Sequence, residues 1–417
     1  MSDDRPKSKR PANTAFKQQR LKAWQPILTP KTVLPAFFIV GLIFVPLGIG
    51  LYIASEKVNE VMFDYTECKA QTPSATFSRT PGRAPIEEWR WDGQTCFIHF
   101  RISEILVPPV FLYYRLTNFY QNHRRYVKSF DANQLKGDQI GVQNLDKQLT
   151  NCDPLREAAK VYAANLTVIV NGGPQEIKKD AQVYPCGLIA NSMFSDEIST
   201  NLSCIKSDFT GFPDGQTCAN VKYAFSESGI AWPSDKEKYG VTQWKDRADD
   251  VTIATTLVPP PLWREAFPQW KDGYNFSNLP NLHEWERFQV WMRTAALPTF
   301  RKLYARTTGG GSALPPGLWE ISIRDTFDVA KFSGTKSIVI STVSILGGKN
   351  PFLGAAYMAV GVICWVLGIV FLIRHMIKPR KLGDHTYLSW NQPQQNQARA
   401  PGVPEVGGER SSLIGGR

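Results

Sequence analysis

The chain contains TVLPAFFIVGLIFVPLGIGLYIAS at residues 32–55 and NPFLGAAYMAVGVICWVLGIVFLI at residues 350–373, and these two stretches decide its fold. Each stretch is 24 residues long and contains no charged residue. An α-helix of this length spans about 36 Å, enough to cross a hydrocarbon core of about 30 Å with some tilt. The stretches therefore predict two transmembrane helices, because two such runs seldom occur in one soluble protein.

The first stretch is more typical of a membrane anchor than of a cleaved signal peptide. It follows 31 mostly polar residues, and its apolar run is longer than the about 7–15 residues usual in a signal peptide. We expect a signal anchor that remains in the chain.

The distribution of charge predicts the orientation. The 417 residues carry a net charge of +11, which taken alone would suggest a nucleic-acid or anionic-membrane partner. Residues 1–31 hold eight basic and two acidic residues, residues 374–417 hold seven and three, and residues 56–349 hold 33 and 32. Because basic flanks stay in the cytosol, we expect two cytosolic tails and a lumenal or extracellular ectodomain at 56–349. No nucleic-acid partner is expected.

The cysteines agree with this topology. The ectodomain holds an even number and the tails hold none, which is typical of disulfide bonding on the oxidising side. Six cysteines allow fifteen pairings, and we expect the sequential one because it closes short loops without crossing. Cys364 lies inside the second stretch and is expected to be unpaired. The expected pairs are Cys68 with Cys96, Cys152 with Cys186, and Cys204 with Cys218.

Three glycosylation sequons also lie in the ectodomain. They begin at Asn165, Asn201 and Asn275, and the tails contain none. Each sequon is weak support by itself, but all three are on the predicted lumenal side.

The ectodomain sequence is typical of a β-rich fold. Apolar and β-branched runs at 96–102, 110–116, 166–170 and 337–346 predict strands, and residues 282–296 predict a helix. Pro- and Gly-rich stretches separate them. The predicted fold class is therefore a membrane protein with two transmembrane helices and a large, antiparallel, sandwich-like ectodomain that disulfides cross-link.

Small residues form one face of each predicted membrane helix. Gly354, Gly361 and Gly368 recur every seven residues in the second stretch, and Gly41 and Gly48 have the same spacing in the first. Seven residues are nearly two helical turns, and glycine lets helix backbones approach closely. We expect these faces to pack the two helices on each other or on a partner's helices.

The sequence contains no recognisable catalytic motif. It has no phosphate loop, no G-x-S-x-G elbow and no H-E-x-x-H zinc helix, and its five histidines are scattered. We predict no enzyme activity, no cofactor and no metal site. Nine of the twelve tryptophans lie in the ectodomain, where core packing is favoured over sugar stacking.

Four long strings resemble one known family. VFLYYRLTNFYQNHRRYVKS at 110–129, ANSMF at 190–194, RTAALPTFRKLY at 293–304 and GDHTYLSW at 383–390 are similar, in this order, to the cell division control protein 50 family, also called ligand-effect modulators. The resemblance covers about residues 15–390. The members of that family are the non-catalytic beta subunits of type IV P-type ATPases, the phospholipid flippases.

The resemblance implies a partner and a role. The partner would be a catalytic flippase subunit in a heterodimer that moves membrane phospholipids to the cytosolic leaflet. The subunit would support folding, exit from the endoplasmic reticulum and activity, in the endoplasmic reticulum, Golgi, endosomes or plasma membrane. The first four ectodomain cysteines look like the family's pairing, and Cys204 with Cys218 resembles an extra pair of fungal-type members. We expect residues 16–29 to lie against the cytosolic side of the ATPase.

Two other classes fit the topology. One is a two-span ligand-gated channel subunit, although the second stretch lacks the polar face that lines a pore. The other is a lumenal enzyme on a membrane tether.

Overall fold

The computed structural model describes residues 12–21, 29–70, 78–79, 85–140, 150–162, 167–170, 173–207, 218, 221–307, 311–344 and 347–379. It divides into two compact units. The first comprises Met1–Leu51 and Phe352–Arg417, and the second comprises Tyr52–Pro351.

Short helices and strands alternate between two long helices. The helices of the described residues are α1 (Pro30–Glu56), α2 (Arg124–Val127), α3 (Ala132–Lys136), α4 (Ala158–Val161), α5 (Leu188–Asn191), α6 (Pro233–Lys236), α7 (Trp244–Arg247), α8 (Asp250–Thr256), α9 (Pro261–Ala266), α10 (Glu286–Met292) and α11 (Phe352–Ile377). The strands are β1 (Glu60–Asp64), β2 (Ser78–Arg79), β3 (Ile86–Trp91), β4 (Thr95–Ile102), β5 (Phe111–Leu116), β6 (Thr167–Val170), β7 (Gly173–Glu176), β8 (Gln182–Val183), β9 (Glu197–Ile198), β10 (Asn201–Ser207), β11 (Lys222–Ala224), β12 (Leu257–Val258), β13 (Phe300–Arg306), β14 (Gly317–Arg324) and β15 (Lys336–Ser341).

The two long helices are those predicted to span the membrane. Helix α1 has 27 residues and runs without interruption through Pro35 and Pro46, and α11 has 26. Both are long and apolar enough to cross a bilayer. Helix α11 continues past the uncharged stretch to include Arg374 and His375, because basic side chains are favourable in the last turn of a helix.

The smaller main sheet brings the two ends of the ectodomain together. Its strand order is β1-β15-β5-β13, and all three pairings are antiparallel. Strand β1 follows α1 in sequence, and it pairs with β15, the last strand before α11. The backbone N–H of Asn350 donates to Ser55 Oγ at 2.8 Å, and Lys349 Nζ lies 3.4 Å from Glu56 Oε2. Both connections to the long helices therefore leave the ectodomain at the same place.

The larger sheet has the strand order β11-β10-β14-β4-β3-β2, with β9 also paired to β14. Strands β4 and β14 pair over their full length. Alternate residues of β14 are buried, among them Trp319, Ile321 and Ile323, and the residues between them are partly exposed. This alternation is expected of a sheet that packs one face on a core.

The two sheets pack face to face and share one hydrophobic core. Phe63 of β1 and Phe100 of β4 have ring centroids 4.8 Å apart, and the backbone N–H of Ile198 donates to Tyr304 Oη across the sheets at 2.9 Å. A smaller second cluster surrounds Cys152 and includes residues of β6, β8, α8 and β12. The predicted sandwich-like, β-rich fold is confirmed.

Two predicted elements are shorter in the structure. The helix expected at 282–296 is limited to α10, Glu286–Met292. The carbonyl of Asn281 instead accepts from the N–H groups of Glu284 and Trp285, which closes a separate turn before α10. The strand expected at 337–346 ends at Ser341 in β15, and residues 345–346 lie outside the described residues, as does Leu166 of the strand expected at 166–170.

Candidate functional site

The five glycines predicted to pack helices are buried in the interface between α1 and α11. A Cβ atom on Gly48 would lie 2.7 Å from the backbone nitrogen of Met358 and 2.8 Å from the carbonyl oxygen of Gly354. Gly361 faces Val45, and the remaining contacts pair Gly41 with Trp365 and Gly368 with Phe37 and Phe38. The glycine faces therefore pack the two helices on each other, which is the first of the two predicted alternatives.

The outer surfaces of both helices remain apolar and exposed. Leu42, Ile43, Ile363 and Val366 are more than half exposed. Neither uncharged stretch contains an Asp, Glu, Lys, Arg or His, so neither offers the charged side chains that commonly line an ion path. Its outer surface can contact lipid or the apolar helices of another subunit.

The six ectodomain cysteines form three disulfides in the sequential order. They join Cys68 to Cys96, Cys152 to Cys186, and Cys204 to Cys218. The first bond lies in the main core and the second in the smaller cluster. Cys364 of α11 is not disulfide-bonded.

Two of the three sequons lie on described parts of the surface. Asn201 is exposed at the start of β10. Asn275 is partly exposed, and its Oδ1 accepts from the N–H groups of Ser277 and Asn278, so these bonds do not use the Nδ2 that would carry a glycan. Asn165 lies outside the described residues.

A buried ionic cluster joins the two sheets, and no motif in the sequence marks its residues. Lys336 Nζ donates to Asp196 Oδ2 at 2.8 Å, to Asp325 Oδ1 at 2.6 Å and to the carbonyl of Phe327 at 2.8 Å. Tyr65 Oη donates to Asp196 Oδ2 at 2.8 Å. Tyr65 follows β1 and Lys336 begins β15, whereas Asp196 precedes β9 and Asp325 follows β14, so the cluster links the ends of strands from both sheets.

The electrostatics of this cluster indicate a structural role. The side chains of Lys336 and Asp196 are 2% and 0% exposed. Burial raises the pKa of Asp196, and the Lys336 ammonium opposes that rise. Burial also raises the pKa of the Tyr65 hydroxyl well above its usual value. Since Asp325 is only 2% exposed, the carboxylate pair cannot reach a substrate in this conformation, and its chemistry is the pairing of buried charges.

A second buried lysine, Lys302, caps the C-terminal end of helix α10. Lys302 Nζ donates to the carbonyls of Val290 at 3.0 Å and Trp291 at 2.9 Å, and also to the carbonyl of Arg293. These are carbonyls at the end of the helix, which have no partner within it. Burial, with a smaller effect of the Arg293 charge, lowers the pKa of Lys302 to about 7.

The strings that carried the resemblance are core elements. Tyr114 of β5 stacks on Phe194 of the ANSMF string, with ring centroids 3.8 Å apart. The carbonyl of Ala190 accepts from Trp263 Nε1, and that of Ile189 accepts from Trp291 Nε1, both at 2.8 Å. Lys302 lies in the string at 293–304. That string was therefore the one feature of the sequence that could have pointed to its contact with the end of α10. The string at 383–390 lies outside the described residues.

The ectodomain tryptophans are mainly core residues, as expected. Seven are buried and Trp285 is partly buried. Trp232 alone among the nine, all of which are described, is largely exposed, at 63%. Among the described residues, no group of three or more His, Cys, Asp or Glu side chains is arranged to hold a metal ion.

Comparison with known proteins shows which family this chain is similar to. A family model described as LEM3 (ligand-effect modulator 3) family / CDC50 family matches residues 51–381. The phospholipid-transporting ATPase accessory subunit CRF1 of Saccharomyces cerevisiae is 38% identical over 400 residues, which cover 92% of this chain and 90% of CRF1. Cell cycle control protein 50A of Bos taurus is 39% identical over 375 residues, 88% of this chain and 89% of that protein. ALA-interacting subunit 3 of Arabidopsis thaliana is 36% identical over 395 residues, 93% of this chain and 92% of that protein.

Proposed function

The chain belongs to the LEM3/CDC50 family, and on that premise we propose that it is the non-catalytic accessory subunit of a phospholipid-transporting ATPase. The observation that carries the proposal is the similarity to CRF1, which extends over nine tenths of both chains and includes both long helices and the ectodomain. The geometry is compatible with this role because the helices pack on each other and the buried carboxylates are paired with lysine.

The proposed topology has five segments. Residues 1–31 and 374–417 are cytosolic, residues 32–55 and 350–373 cross the membrane, and residues 56–349 are lumenal or extracellular. The basic tails, the disulfides and the position of the sequons between the two long helices support this arrangement. We further propose glycosylation at Asn165, Asn201 and Asn275.

The proposed partner is the catalytic subunit of a type IV P-type ATPase, in a heterodimer. The accessory chain supports the folding of that subunit, its exit from the endoplasmic reticulum and its activity, and the complex works in the secretory pathway or plasma membrane. Residues 16–29 contact the cytosolic side of the ATPase. Their basic and aromatic side chains suit such a contact, and normal ATP turnover by a complex that lacks them would contradict it.

Affinity purification of the tagged full chain from native membranes tests the main proposal. We expect a large P-type ATPase to be recovered in equal amount, identified by mass, with ATP turnover that depends on phospholipid. Recovery of a homo-oligomer alone would favour the ligand-gated channel. Recovery of an isolated chain with its own hydrolytic activity would favour the tethered enzyme.

A further inference from the structure

The helix pair forms a groove of about 690 Å³ at the end nearest the two chain tails. Residues of each helix line it at helical spacing, so one stripe of α1 faces one stripe of α11. The α1 stripe is Pro30, Val33, Leu34 and Phe37, next to Thr29, and the α11 stripe is Phe371, Arg374 and His375, with Lys378 directly after the helix end.

The inner part of the groove is apolar. The rings of Phe37 and Phe371 are 5.7 Å apart and lie at the membrane side of both stripes. Phe371 is 44% exposed, so its ring is available to an apolar ligand. Val33 and Leu34 extend the same surface towards the helix end.

The outer part of the groove is basic, and its described lining residues include no counter-charge. Arg374 and Lys378 are exposed and His375 is partly exposed. None of the described residues from 12 to 55 or from 350 to 379 is acidic. The N-terminus of α1 and the C-terminus of α11 bring opposite dipole ends to this region, so the side chains set the sign of its field.

We propose that this groove binds one anionic phospholipid of the leaflet that faces the tails. The headgroup phosphate lies against Arg374 and Lys378, and an acyl chain lies along Leu34, Phe37 and Phe371. A free phosphate would use only the basic end, whereas a phospholipid matches both parts of the groove. The proposal does not depend on which catalytic subunit the chain joins.

Native mass spectrometry of the full-length chain in detergent tests the basic end. Phosphatidylserine and phosphatidylcholine with the same acyl chains are added in equal amounts. We expect the chain to retain phosphatidylserine in preference by about tenfold, because juxtamembrane basic residues attract anionic lipid. The double variant Arg374→Gln/Lys378→Gln should retain the two lipids almost equally.

Lys31→Gln is the matched control for charge. Lys31 is exposed near the start of α1 but does not line the groove. This variant should keep most of the preference. Equal retention of both lipids by the wild-type chain overturns the proposal, and so does a loss in Lys31→Gln as large as in the double variant.

A second variant tests the apolar part without changing the charge. Leu34→Trp fills the groove, and we expect several-fold lower retention of phosphatidylserine, whereas Ala36→Trp on an exposed part of α1 should retain it normally. An unchanged thermal midpoint in both variants shows that the helix pair is intact. If Leu34→Trp retains the lipid fully, or if inorganic phosphate displaces it, the ligand is an anion at the helix ends and the phospholipid groove is refuted.

Discussion

At the residue scale, Lys336 is the side chain on which the ionic cluster depends. Its ammonium is the cation that lies between two buried carboxylates, those of Asp196 and Asp325. Replacement by methionine would leave both carboxylates buried without that charge. We expect Lys336→Met to lower the free energy of unfolding by about 3–5 kcal/mol, measured by urea unfolding of the full chain in detergent.

Lys69→Met is the control for that change. Lys69 Nζ lies 3.2 Å from the same Asp325 carboxylate, but its side chain is 47% exposed. Exposed ion pairs contribute little, so this variant should lose less than about 1 kcal/mol. Equal losses in the two variants would mean that burial of Lys336 is not what makes its pair important.

Lys302 predicts a dependence of stability on pH. Its pKa is about 7 in the folded chain, below the ordinary value of 10.5, so between these values the unfolded chain binds more protons. The free energy of unfolding should therefore rise with pH above about 7, by up to about 1.4 kcal/mol per pH unit.

The measurement compares wild type with Lys302→Met by urea unfolding at pH 6.5, 7.5 and 8.5. The stability of wild type relative to the variant should increase across the series. Parallel profiles would contradict the prediction and would mean that the three carbonyls bound by Lys302 keep its ammonium protonated throughout.

At the element scale, two glycines of α1 allow a matched test of its contact with α11. Gly48 lies in the contact, and Gly50 lies outside it. A Cβ on Gly48 would meet the backbone of Met358 and Gly354, whereas a Cβ on Gly50 would have nothing within 4 Å. Backbone atoms cannot rotate away as a side chain can. Gly48→Leu should therefore destabilise the helix pair by about 1–3 kcal/mol, and Gly50→Leu should leave it almost unchanged.

Thermal unfolding of the full chain and recovery of its complex with the proposed catalytic subunit both measure this effect. We expect a lower midpoint and lower recovery for Gly48→Leu alone. If Gly50→Leu reduces complex recovery while the midpoint stays the same, the exposed side of α1 is a partner contact and the internal packing is not what limits assembly.

Elements with a local signal could be predicted from the sequence. The strands expected at 96–102 and 110–116 correspond to β4 and β5, because alternating apolar residues mark a half-buried strand wherever it pairs. The contacts that close the ectodomain have no such signal. Asn59 bonds Thr342 across 283 positions, and Lys336 bonds Asp196 across 140, so only the folded chain brings these residues together.

At the scale of the whole molecule, the pairing of β1 with β15 explains how a large ectodomain can be joined to a single pair of helices. The first and last strands of the ectodomain are neighbours, so its two connections leave side by side. The topology proposed above assigns the ectodomain to one side of the membrane and both tails to the other. The glycosylation pattern therefore tests the proposed topology of the whole chain.

Three variants make this test complete. Asn201→Gln and Asn275→Gln should each lower the apparent mass by one glycan, with the difference removed by enzymatic deglycosylation, because Asn201 is exposed and Asn275 is partly exposed on the ectodomain. Ala398→Ser creates a new sequon at Asn396 in the C-terminal tail. We expect no added mass from it, since glycosylation occurs only on the lumenal side. A glycan on Asn396 would overturn the cytosolic assignment of that tail. If neither asparagine substitution changes the mass, the proposed sites at Asn201 and Asn275 are wrong.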